Sequence, residues 1–141
     1  MSPLETPSTW RYFLYDEILV PWEIGSVHVR SEVYSAKAIP NALGLLVLKK
    51  NNKSEMCVAE REYRHHIGEF LVYYSDGRGY EELFKRLRDT VAHANFTPGR
   101  TGWIKMNHRF QGRDEAQPNV RLIASMKFQT LRRLVRFISP S

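Results

Sequence analysis

The chain has 141 residues, enough for one ordinary domain with a real apolar core, and 43% of them are hydrophobic and 12% aromatic. Cys57 is the single cysteine, so an internal disulfide is excluded and a buried, inert thiol is expected. The net charge is +6 and the pI about 9.6, which favours a polyanionic partner without naming one.

Met1 to Thr9 is short, polar and proline-rich, unlike a secretory leader, and the apolar run Ala42–Leu48 is too short for a bilayer. A cytoplasmic protein with no membrane attachment is expected. It reads as one domain over 1–141, with flexible ends at 1–8 and 139–141.

Along the chain, Trp10, Phe13, Leu14 and Ile18 stand at helical spacing, and Pro21 is expected to end that helix. Glu32 to Lys50 reads as a second helix kinked at Pro40, and Ser54 as the N-cap of a third. Ala59, Tyr63, Ile67, Phe70 and Tyr74 then make a helical stripe that runs to the turn at Ser75–Gly79.

Tyr80 to Phe96 is the strongest helix, with Phe84, Leu87, Val91 and Ala94 as its inner seam, stopped by Thr97-Pro98-Gly99. Trp103–Phe110 looks extended, Gln111–Asn119 is a polar loop, and a final helix spans about Ser125 to Ile138. The architecture expected from this pattern is all-α: a four- to five-helix bundle with a short extended or β-hairpin insertion before the last helix.

The chemistry-bearing segment is Arg88-Asp89-Thr90-Val91-Ala92-His93. Asp89 and His93 are helix neighbours four apart, so the carboxylate is expected to fix the imidazole tautomer for proton transfer. Arg88 and His93 are about 140° apart around a helix, and a second copy of the chain would help to converge them. The pattern alone is weak, since Arg61 and His66 repeat it. On composition alone, a surface salt bridge between Arg88 and Asp89 is the plainer reading.

Arg88-Asp89-Thr90-Val91-Ala92-His93-Ala94 resembles the Arg-x4-His signature of HEPN domains, the higher eukaryote and prokaryote nucleotide-binding superfamily. The layout is similar to the small plasmid-encoded group of that family. The resemblance implies an all-helical HEPN-like bundle and a metal-independent endoribonuclease without cofactor. It also implies a homodimer, working as a toxin or phage-defence effector, with an antitoxin or another protein partner in some members.

Carried over, His93 is the proton-transfer group, Arg88 stabilises charge on the phosphorane, and Asp89 is the polar second position. Asn95 stands where one toxin branch carries a modified tyrosine. The resemblance also admits a catalytically silent nucleotide- or RNA-binding or dimerising scaffold, and outside the family a small basic helical interaction protein remains open.

The other candidates are weaker. Lys105, His108 and Arg109 alternate with Trp103, Ile104 and Phe110, as RNA contacts or as a hairpin packed on the bundle, and Asn95 as a phosphate donor or a helix cap. His65 and His66 have no partner pair at zinc spacing, so no metal site is expected. Arg132, Arg133 and Arg136 read as a solvated helix face.

Overall fold

The computed structural model describes residues 7–28, 42–75 and 81–139. It corrects the fold class. Instead of an all-α HEPN-like bundle, the chain forms a five-stranded mixed sheet flanked by helices, an α/β protein. In chain order the elements are α1 (Pro7–Leu14), a π-helical turn (Tyr15–Leu19), α2 (Val20–Glu23), β1 (Leu46–Lys50), α3 (Lys53–Tyr63), β2 (Phe70–Tyr74) and α4 (Glu81–Ala92). There follow β3 (Phe96–Pro98), β4 (Trp103–Phe110), β5 (Asn119–Lys127) and α5 (Phe128–Ile138).

The strand order is β1-β2-β5-β4-β3. β1 and β2 run parallel, joined through α3 as a parallel pair requires, and all other pairings are antiparallel. The larger core lies on one face, where Val47, Leu71, Tyr73, Ile104, Met106, Leu122, Ala124 and Met126 meet the apolar sides of α1, α4 and α5. The smaller core lies on the opposite face, where Met56 and Ala59 of α3 cover Phe70, Val72, Val120 and Ile123. α3 sits over β1, β2 and β5, and among the described residues no helix covers that face of β3 and β4.

Several local expectations change with the sheet. The stripe from Ala59 to Tyr74 is two elements. α3 ends at Tyr63, Ile67 is 90% exposed, and Gly68 takes φ +108°, where a side chain would be strained. Phe70–Tyr74 then enters the sheet interior, where an aromatic and β-branched run buried on both faces is stable as a strand. Of the helix expected over Glu32–Lys50, residues 32–41 lie outside the described residues, and Leu46–Lys50 is the edge strand β1.

Asn52, not Ser54, caps α3, accepting from Glu55 N at 2.8 Å. Cys57 lies exposed on α3 rather than buried. Pro21 does not end the first helix. The π turn hands Val20 N–H to Tyr15 O, and α2 continues with Pro21 in its first turn, where a missing N–H costs little. The turn at Ser75–Gly79 falls mostly outside the described residues. Among the described residues no helix is long and apolar enough to cross a membrane.

Candidate functional site

α4 ends in a way that fixes the site. Asn95 N donates to Thr90 O at 2.9 Å and Ala94 N to Val91 O at 3.0 Å, the paired bonds of a Schellman stop. The residue in the left-handed position is Ala94, at φ 54°, where glycine is usual. The helix therefore stops at Ala92, before Thr97-Pro98-Gly99. Phe96–Pro98 becomes the edge strand β3, which tolerates a proline.

This corner delivers His93 onto the helix-covered face of the sheet. There β4 alternates, with Ile104, Met106 and His108 buried under the helices and Lys105, Asn107 and Arg109 exposed on the other face. His93 and His108 stack with ring centroids 5.4 Å apart, and the Phe110 ring lies 6.5 Å from His93. His108 is only 1% exposed, whereas His93 is open to solvent. Asn95 Oδ1 lies 2.6 Å from His108 Nδ1, so that nitrogen carries the hydrogen and its Nε2 is left as an acceptor. Burial holds the His108 pKa below the ordinary histidine value. The Asp89 charge opposes this, and the charges of His93, Arg86 and Arg121 add to it.

Asp89 does not hold His93 as the spacing suggests. Its Oδ1 accepts from Arg88 Nη1 at 2.6 Å and its Oδ2 faces Arg86 Nη1 at 3.7 Å; His93 N donates to the Asp89 backbone carbonyl at 3.0 Å, but no hydrogen bond joins the Asp89 carboxylate to the His93 ring among the described residues. Arg88 also reaches Glu23 of α2, with Nη2 to Oε1 at 3.0 Å. The bond to Asp89, partly offset by burial and helped by Glu23, raises the already high Arg88 pKa, so the guanidinium is always charged. Its Nε is buried with no partner among the described residues. Around this corner Arg86 lies 5.5 Å and Arg121 5.0 Å from the Tyr74 ring centroid. Neither arginine was singled out from sequence. Arg121 falls at the register shift of β5 opposite His108–Arg109, which leaves no sequence signal.

The candidate residues thus separate into two groups. Arg88, Asp89, His93 and His108 share the helix-covered face. Lys105 and Arg109 lie across the sheet, in an open groove of about 670 Å³ over β4 and β5, walled by the end of α3 and by the α4–β3 corner. Arg109 is ion-paired with Glu60, which also accepts from Asn107 Nδ2 at 3.2 Å. Asn95 links the two sides, lining the groove while bonding to His108. His108, expected as a substrate contact, is buried and stacks against His93. Among the described residues no group of three or more His, Cys, Asp or Glu is placed to hold a metal ion.

Comparison with family models, curated proteins and solved structures yields no match to this chain.

Proposed function

We propose that the chain acts on RNA as a metal-independent endoribonuclease, with His93 as its proton-transfer group. The observation that carries this reading is the stack of His93 on His108. An exposed imidazole is held against a buried, uncharged one at a corner rich in arginine. In the step proposed, the RNA 2′ oxygen attacks the adjacent phosphorus and its proton passes to His93. The bond from phosphorus to the 5′ oxygen breaks, and the proton goes to that oxygen. The products are a 2′,3′-cyclic phosphate and a 5′-hydroxyl.

Arg88, from the same helix end, is the cation assigned to the phosphorane oxygens, through its two-pronged guanidinium. It can serve only by exchanging Glu23 for phosphate. Glu23 is 55% exposed on its side chain, and such a pair stabilises by no more than about 1 kcal/mol, so exchange is feasible.

That same clamp favours a second reading. With both carboxylates retained on Arg88, the corner binds no phosphate and the chain is a silent RNA-binding or dimerising module. A homodimer that pools the Arg88 and His93 of two copies belongs to the first reading, and light scattering at micromolar concentration tests it.

Incubation with mixed single-stranded RNAs in excess chelator separates the readings. The enzyme should leave cyclic-phosphate ends, and His93→Ala should lower the rate by about 10²–10⁴-fold. Cleavage undiminished in His93→Ala would remove the mechanism. Absence of cleavage in the wild type across a broad panel would leave the silent module.

A further inference from the structure

The open face of the sheet has its own chemistry. Along β4 the residues pointing into it are Trp103, Lys105, Asn107 and Arg109, a span of roughly 20 Å at strand rise. A second hollow of about 270 Å³ adjoins the 670 Å³ groove and shares His66, Lys105 and Ser125 with it, so the two form one continuous trough.

Aromatic rings line it at two stations. Tyr63, His66 and Phe70 form a cluster with centroids 4.9 to 5.3 Å apart. Beyond Lys105 the Trp103 ring carries Arg100 at 4.0 Å from its centroid. Two cations line the same trough: the side chains of Arg64 and Lys105 have no ion-pair or hydrogen-bond partner among the described residues. Long side chains carrying unneutralised charge beside partly exposed rings suit an anionic ligand with flat bases.

We propose that this trough binds single-stranded RNA, with bases against the Tyr63–His66 and Trp103–Arg100 stations and backbone phosphates on Arg64 and Lys105. A duplex hides its base faces in its own stack, so it offers these rings nothing, whereas a single strand offers both faces and charge. The trough ends at Asn95, which is bonded to His108, the ring against which His93 stacks. Where the strand goes beyond Asn95 rests on the ribonuclease reading, but binding in the trough does not.

Binding without cleavage provides the test, using His93→Ala so that the substrate stays intact. Fluorescence anisotropy with a labelled single-stranded octauridylate should show binding that weakens at least tenfold in Arg64→Ala/Lys105→Ala. A self-complementary RNA duplex of similar length should bind at least tenfold more weakly than the single strand. Tryptophan emission should be quenched on binding, and the quench should vanish in Trp103→Phe.

Tyr63→Leu, which keeps an apolar contact with Phe70, should weaken binding severalfold with an unchanged unfolding midpoint. Equal affinity for duplex and single strand, or an affinity unmoved by the double variant, would overturn the proposal. So would displacement of the octamer by micromolar uridine monophosphate, which would make the trough a mononucleotide pocket. If binding behaves as stated and the protein with His93 intact does not cleave, the trough stands and the ribonuclease reading falls. If cleavage persists with the trough variants unaffected, the reverse holds.

Discussion

His93 and His108 lie ring against ring at 5.4 Å, yet one faces solvent and the other is sealed beneath α4. Their closeness comes from two independent local rules. The period of two in β4 turns His108 toward the helices, and the Schellman stop of α4 drops His93 over it.

The buried ring has a consequence for stability. His108 has a lowered folded pKa, so between its unfolded value near 6.5 and its folded value the unfolded chain binds more protons. Stability from this group is therefore complete above about pH 6.5 and declines as pH falls through the window below. Urea unfolding at pH 7.5 and 5.5 should show a loss on acidification that shrinks in His108→Gln. An identical pH slope in the variant would mean that the ring is not held neutral.

The corner residue Ala94 carries backbone strain at φ 54°. Ala94→Gly relieves it, against a larger loss of freedom on folding, for a net gain of about 0.5–1 kcal/mol. Thermal unfolding should shift upward by a few degrees. A fall in the unfolding midpoint would show that the Ala94 methyl makes contacts worth more than the strain.

Sequence reasoning located the helices that border the site but not the sheet beneath it. α5 is legible because Phe128, Leu131, Val135 and Ile138 are buried at helical spacing, and α4 because Phe84, Leu87 and Val91 are. β4 is legible because it is half-covered and alternates. β2 and β5 are central strands with residues buried on both faces, such as Leu122-Ile123-Ala124, so alternation is absent and the apolar run imitates a helix. Asp89 misled for a different reason. Its spacing to His93 fits, but Arg88 and Arg86 hold the carboxylate, and two guanidinium partners outcompete an imidazole.

Glu115 is the tie point of the loop between β4 and β5. It pairs with Lys53 of α3 at 3.0 Å and with Arg121, accepts from Gly112 N at 2.9 Å, and is hydrogen-bonded by Asn119. The Lys53 bond, foremost, holds its carboxyl below the usual glutamate range, with smaller help from Gly112 and Arg121 against a burial effect of opposite sign. The associated stability is present above the ordinary glutamate pKa near 4.3 and is lost as pH falls through the lowered value. Glu115→Gln should flatten the acid limb of the stability profile below the ordinary glutamate pKa and speed amide exchange across residues 111–118. An unaltered acid limb would show the ion pairs to be energetically silent.

The clamp on Arg88 decides whether the corner can receive a phosphate. Asp89 is adjacent in sequence and largely covered, with Arg86 on its second oxygen, so it stays. Glu23 comes from α2, is half exposed and holds one guanidinium nitrogen at 3.0 Å, so an incoming phosphate oxygen competes with it directly. Glu23→Gln removes the competing charge while keeping the length of the side chain. Folding stability should change by no more than about 1 kcal/mol, because the pair is partly exposed. RNA cleavage should rise severalfold, mainly through a lower KM, since the competitor acts before chemistry. In Arg88→Ala the same substitution at Glu23 should have no effect on cleavage, because the two residues act through one contact. A Glu23→Gln effect that persists without Arg88 would place the action of Glu23 elsewhere and leave Arg88 a structural ion pair.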